Sequence, residues 1–484
     1  MAPAGIATVA ALFPDDFEIR LCDEIIEPVD YDDAADVVGL SVNVAQTSRA
    51  LDIARAFRAA GKTVVLGGPQ VSLVPEMFEG EADCLAIGEF ETIAPAFIAD
   101  LRAGRLKPSY RGGKADMAAT PKPRWDLYDN ARALAGVVQT SRGCPFECSF
   151  CDVIQLLGRV QRHKPTDQVI DEIQSLYELG YRQIHLSDDN FTVYRKRAHE
   201  VVSAIGVWNA ADGREPVTFI TQLSIDVARD PELVSLCGEA GLRYVLIGLE
   251  TSDTNGLKES KKRQNLKIDL VDQCERIVGA GVSISAGLIC GFDSDDLSCF
   301  ERQLDFAMDL PIVNYNISAL VAPPATTLYA EMKASGRIVD DDALIDKAGS
   351  GSSTTNFEPL HMTREQLGEG VDWLRRAILE PDRAIVRFER YAGVVGGLPE
   401  RLARKGRDRL SPKSAPYFEL MAHLARDPGA RRVIDCERQS GHFVAWSRGY
   451  TLATAIAAGH CGPPDTVPRA GGWRHCLHGC SHGV

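Results

Sequence analysis

The sequence predicts an α/β protein built on parallel sheets, with a mainly helical C-terminal extension. Three observations carry this. Short apolar strands alternate with helix-period stretches up to about residue 101, the same alternation recurs to about residue 345, and beyond that the pattern turns Arg-rich and helical. Alternation of this kind implies parallel strands, because a parallel pair needs a long crossover connection.

Residues 1–112 read as the first domain. Residues 1–5 lead directly into a helix-like stretch at 6–12, so the domain reads as truncated, without an opening apolar strand. Residues 37–42 form a strand of buried type. Ala50, Ile53, Ala54 and Phe57 then share one helical face at i, i+3, i+4 and i+7, and Gly61 suits the helix end. Strands follow at 63–68 and 84–88 and a helix at 91–101, a Rossmann-like, doubly wound pattern. Residues 106–126, rich in Pro, Gly, Lys and Arg, read as a linker. The second domain, 127–345, carries strand-like runs at 136–140, 183–187, 217–221, 244–248, 282–289 and 315–319, with amphipathic stretches such as 167–179 and 231–240 between them. Six β/α units make a partial (β/α)6 barrel of TIM type, open on one side, with its chemistry at the C-terminal strand ends. Residues 349–355 mark a break, and a helix at 363–379 opens on a Thr363/Gln366 capping box. Residues 346–458 form the helical extension, and 459–484 a Cys/His-rich tail.

Composition narrows the function. A net charge of −14 argues against a general nucleic-acid or anionic-membrane partner. No basic, then apolar leader follows Met1, and no run of about 18 apolar residues suggests a membrane span. The 13 cysteines do not make a disulfide scaffold and point to a reducing cytoplasm.

Cys144, Cys148 and Cys151 are the most informative of them. They form Cys-x3-Cys-x2-Cys, with Phe150 just before the last thiol, directly after the first barrel strand. Three thiolates this close can hold three corners of a [4Fe–4S] cubane and leave one iron open. A structural zinc site would need a fourth ligand, and no second knuckle follows; His163 stands alone.

This segment closely resembles the signature of the radical S-adenosylmethionine (SAM) superfamily. The resemblance of the chain to such enzymes extends from Gly39-Leu-Ser-Val-Asn43 through Ser187-Asp-Asp-Asn-Phe191 and Ile247-Gly-Leu-Glu250 to Pro323-Pro-Ala-Thr-Thr-Leu-Tyr329. The stretch around Thr355-Asn-Phe-Glu-Pro359 is similar to the extension found in hopanoid methylases. The resemblance implies a transferase that cleaves SAM reductively at a [4Fe–4S] cluster. It acts on a small-molecule substrate, by methyl transfer or another radical modification, and takes electrons from a flavodoxin- or ferredoxin-type donor. It also implies SAM contacts from Phe150, from Asp188, Asp189 and Asn190, from Gln222 and Glu250, and from Gly287 and Ser318. Glu250 would take ribose hydroxyls or the methionyl ammonium, and Gly287 would let backbone approach the adenine. Capping of the chain by an Asx-type turn is the plainer reading of Asp188–Asn190.

The N-terminal module resembles a cobalamin-binding domain. Asn43, Gly67 and Gly68 would contact that cofactor, and Gly67-Gly-Pro-Gln70 and Ile87-Gly-Glu89 would line its nucleotide tail. No Asp-x-His-x-x-Gly motif supplies a histidine to cobalt, and a Rossmann-like module kept for packing is the alternative. The tail supports a further reading. Cys476 and Cys480 could bind a soft metal or metalloid. They could also present a soft acceptor, such as trivalent arsenic or a thiol, to a 3-amino-3-carboxypropyl group derived from SAM.

Overall fold

The computed structural model describes residues 1–339, 351–395, 428, 429, 431 and 432. The tail cysteines Cys476 and Cys480, and most of the expected helical extension at 346–458, lie outside the described residues.

A first sheet holds β1 (Val37–Ser41), β2 (Thr63–Gly67), β3 (Cys84–Ile87) and β4 (Ser109–Arg111), all parallel and paired in that order. Helix Thr47–Ala59 packs on one face, where Ala50, Ile53, Ala54 and Phe57 meet Val64 and Leu66. Helix Phe90–Arg102 packs on the other, where Ile93, Ala94 and Phe97 meet Val65, Cys84 and Ala86. Helices on both faces fit the expectation of double winding, but the strand order does not. It runs in sequence order and has no reversal, so this sheet lacks the switch-point crevice where doubly wound folds usually bind ligands. β4 is a second difference, because it lies inside the stretch read as linker. Three residues between Pro108 and Gly112 are too short to show a period of two. The opening helix, Ala4–Ala10, packs beside the second sheet, with the Ala2 N–H donating to the Ala135 carbonyl at 3.1 Å.

After β5 (Gly136–Val138) the chain makes a short antiparallel ladder of β6 (Ser141–Arg142) and β7 (Arg162–His163). It then builds the large sheet with β8 (Gln183–Leu186), β9 (Thr218–Gln222), β10 (Leu242–Glu250), β11 (Ser283–Cys290) and β12 (Asn314–Ala319). The order is β12-β11-β10-β9-β8-β5, parallel throughout. Outward residues such as Ile184, Phe219, Val245, Ile247, Ile284 and Ile317 share one core with helices Thr166–Glu178, Arg195–Asn209, Pro231–Ala240, Leu270–Gly279 and Cys299–Asp309. Helices on a single face are the winding of a barrel rather than of a doubly wound sheet. Helix Arg364–Leu379 carries the expected capping box: the Gln366 N–H donates to Thr363 Oγ1 at 3.1 Å and the Thr363 N–H to Gln366 Oε1 at 2.9 Å. Among the described residues, no helix is long and apolar enough to cross a membrane.

Two helical glycines test this packing in opposite directions. A Cβ on Gly238 would fall on the Ala280 carbonyl oxygen, whereas one on Gly206 would meet Ala240 Cβ at an ordinary 3.6 Å. Gly238→Ala is therefore expected to destabilise by about 1–3 kcal/mol through overpacking. Gly206→Ala is expected to stabilise by about 0.5–1 kcal/mol, because a mid-helix glycine is conformationally costly. Urea denaturation curves of the two variants should shift to opposite sides of the parent.

Candidate active site

The three cysteines lie on an excursion, residues 143–161, that leaves the C-terminal end of β5 and is closed at its neck by the β6–β7 ladder. Gly143 begins it with φ 99°, and a Cβ there would sit 2.9 Å from the carbonyl oxygens of Gly158 and Val160, so only glycine fits. The Gly143 N–H donates to Asp189 Oδ2 at 2.8 Å and the Cys144 N–H to the Gly158 carbonyl at 3.2 Å. The Ser149 N–H reaches the Ser260 carbonyl at 3.0 Å, and the Leu328 N–H donates to the Ser149 carbonyl at 2.8 Å. Phe150 packs against the cluster of Phe292, Leu320 and Leu328. The loop is thus held by segments that follow β8, β10 and β12.

Burial pushes the Cys144 and Cys151 thiols up, and each is raised further by Cys148. Iron is bound by thiolates, so loading a cluster here would release whatever protons the three sulfurs hold.

A second constellation faces them, and the sequence reading missed half of it. Lys262 Nζ lies 2.7 Å from Glu250 Oε1, and both side chains are largely buried. Burial opposes the Lys262 ammonium, but Glu250, Cys148 and the further pull of Cys151 outweigh it and push the group up. Glu250 closes β10 at a left-handed φ of 66°. A Cβ on Gly248 would fall on Glu250 Oε1 and lie 2.8 Å from Lys262 Nζ, so Gly248 leaves room for the pair. Gly287, on the neighbouring strand, stands 3.9 Å from Glu250 Oε2 by the same measure. Gln264 Nε2 donates to Cys148 Sγ at 3.8 Å. The only sequence signal for Lys262 and Gln264 was the basic run Lys261-Lys262-Arg263 after the β10 motif.

The remaining strand-end residues divide. Asp188 is fully buried and already spent. It accepts from the Thr140 N–H at 2.7 Å, the Ser141 N–H at 3.0 Å, Ser141 Oγ at 2.9 Å and Thr140 Oγ1. Asp188 pins the end of β5 to the end of β8. Asp189 takes the Gly143 N–H, and burial pushes its carboxyl up to about 6. Asn190 Nδ2 donates to Ser224 Oγ at 2.6 Å, leaving its Oδ1 buried without a partner. The Gln222 carbonyl accepts from the Phe191 N–H at 2.9 Å at the end of β9. Ser318 lies on β12 opposite Ile289 of β11.

On the first sheet, Gly68 has φ 95°, and a Cβ there would lie 2.7 Å from the Val42 backbone nitrogen. Gly67 abuts Ala86 at 3.4 Å, and the Asn43 N–H donates to Gln46 Oε1 at 3.2 Å. These residues shape the turn, which leads into helix Pro69–Leu73. That helix packs against Val153–Leu156, directly after Cys151. Gln70 on it is buried with its Nε2 unpartnered. Glu89 follows β3 and is buried. Its carboxylate is taken by Arg142 and Arg162 of the β6–β7 neck.

Residues 138–307 match the family model described as the radical SAM superfamily. The chain is 34% identical over 379 residues to an uncharacterised methyltransferase of Synechocystis, covering 77% of this chain and 70% of that protein. It is 31% identical over 350 residues to the hopanoid C-2 methylase of Rhodopseudomonas palustris, covering 71% and 66%. Its fold is similar to the radical SAM methyltransferase TsrM of Kitasatospora setae, solved with cobalamin and a [4Fe–4S] cluster bound. There the TM-score is 0.66 at 15% identity, over 96% of this chain and 97% of that one.

Proposed function

The chain belongs to the radical SAM superfamily and is an enzyme of transferase type, and we propose that it methylates a small organic substrate with cobalamin as methyl carrier. One observation carries the SAM half of this reading: a zwitterionic pair, Glu250 and Lys262, faces the three thiols Cys144, Cys148 and Cys151. The donor set suits a cubane with one open iron. The amino-acid head of SAM is itself a zwitterion, and Lys262 would take its carboxylate while Glu250 takes its ammonium or the ribose hydroxyls. Gly248 makes room for the pair, and Gly287 would let backbone approach the nucleoside. Asp188, by holding β5 to β8, sets where the loop begins, and Phe150 with Phe292 and Leu320 excludes water from one side. When loaded, the cluster supplies an electron to the sulfonium, and cobalamin supplies a carrier for the methyl group.

The cobalamin half rests on the Gly68–Gln70 turn. Its buried, unpartnered Gln70 amide lies on the element packed against the cysteine loop. A free donor there fits a ligand rich in amide acceptors. The relatives named above are methyltransferases, which favours this reading over aminocarboxypropyl transfer or a tail-borne metal function. The first histidine of the chain is His163, so the first sheet offers no imidazole to cobalt. The full chain titrated anaerobically with hydroxocobalamin should give a stoichiometric complex without the spectrum of a histidine-ligated corrin. No bound corrin at saturating supply would remove this reaction. Mass spectrometry of SAM turnover should show 5′-deoxyadenosine together with S-adenosylhomocysteine. Methylthioadenosine in their place would favour aminocarboxypropyl transfer.

A further inference from the structure

The neck of the cysteine loop poses an electrostatic problem. Arg142 and Arg162 stand directly opposite each other in the β6–β7 ladder, with side chains 12% and 19% exposed. Like charges at facing ladder positions repel, and burial strengthens the repulsion. The ladder is two residues long on each strand, too short to hold against this alone. A carboxylate from the other sheet resolves it. Glu89, 8% exposed, accepts from Arg162 through two bonds, at 2.8 Å to Oε2 and 2.6 Å to Oε1, and from Arg142 at 2.8 Å to Oε2. Glu91, two residues on, takes the other terminal nitrogen of Arg142 at 2.6 Å. The Ala115 N–H donates to Glu89 at 3.0 Å and the Ala115 carbonyl accepts from Arg162 at 2.7 Å, so the backbone after β4 joins the clasp.

We infer that Glu89 is a positioning residue for the cluster: it closes the neck of the cysteine loop from the first sheet, and the first sheet thereby sets the geometry of Cys144, Cys148 and Cys151. Arg142 is two residues before Cys144, so a displaced neck moves the first ligand directly. This rests on the reading that the three thiols hold the cluster.

The test uses the full chain, reconstituted anaerobically with iron and sulfide, in parent, Glu89→Gln, Arg162→Gln and Glu89→Gln/Arg162→Gln forms. Two readouts are taken: the rate of iron release to a ferrous chelator, and the change that SAM makes in the electron paramagnetic resonance signal of the reduced cluster. Removing one partner of a buried charge cluster leaves the others uncompensated, so Glu89→Gln is expected to release iron about tenfold faster or more and to blunt the SAM response. Arg162→Gln, which leaves Glu89 paired with Arg142, is expected to stay within about threefold of the parent. The double variant removes the repulsion and is expected to recover most of the loss, a non-additivity that simple loss of packing does not produce. If Glu89→Gln does not fold, a folded, cluster-bearing double variant supports the inference, and an unfolded one overturns it. A Glu89→Gln protein that behaves as the parent, or a double variant no better than the single, also overturns it. Failure of the underlying cluster reading would look different: Cys148→Ala would keep the cluster.

Discussion

Cys148→Ala, reconstituted anaerobically, should fold like the parent and yet hold no stable cubane, whereas the parent takes up about four iron and four sulfide per chain. Cys148 is buried, at 8% exposure, and receives the Gln264 amide. Removing a sulfur costs one small buried side chain, so stability should fall by about 1 kcal/mol, within the ordinary range for point mutants. The effect on metal is of another order. Loss of even an outer partner of a metal ligand typically costs about 10–100-fold in affinity, and loss of the ligand itself must exceed that. Reductive SAM cleavage should therefore drop by more than about 100-fold. Cys274→Ala is the matched control, since that thiol sits in the core on helix Leu270–Gly279, and it should leave iron content unchanged. Full SAM cleavage by Cys148→Ala would sink the assignment of the site.

Much of this was legible in the sequence, for physical reasons that also mark where legibility ends. The strands of the large sheet announce themselves as short apolar runs: Leu242–Glu250 extends the expected 244–248 by two residues at each end, and Ser283–Cys290 is the expected 282–289 displaced by one. The cysteine loop is visible because its ligands are close in sequence and its spacing is chemically specific. What the sequence hides is pairing between distant positions. Arg142 and Arg162 look like solvated surface charges until the ladder sets them face to face, and Glu89 reaches them from 53 and 73 residues away. The bonds of Asp188 are hidden for the same reason. An acidic residue at a strand end suggests a ligand, and only the fold shows four donors from Thr140 and Ser141 already occupying it. Strand order is hidden as well. The alternation of strands and helices in the first sheet is the same whether or not the order reverses, so double winding could not be told from the sequential order observed.

Lys262→Met should abolish productive SAM binding while leaving the cluster in place. The substitution keeps an unbranched apolar stem, so packing around the side chain, 13% exposed, is little altered. The charge is what disappears, with two consequences of opposite character. Glu250, 6% exposed, is left as a buried carboxylate with no counter-ion, which should destabilise the chain by about 3–5 kcal/mol. The carboxylate of SAM also loses its cation and must approach Glu250 unscreened, so affinity should fall by about 100-fold or more, since truncating one partner of a buried charged contact costs about 2–5 kcal/mol. Glu250→Gln/Lys262→Met separates the two. With both charges gone, no buried ion remains uncompensated, and stability should return close to the parent. SAM affinity should not return, because neither end of its amino-acid head then meets an opposite charge. Anaerobic calorimetry would give the affinities, iron content would confirm the cluster, and thermal melts would follow stability. A double variant that regains both stability and SAM binding would show that Glu250 and Lys262 only brace the loop after β10. One that regains stability alone would support the proposed contact between the pair and the amino-acid head of SAM.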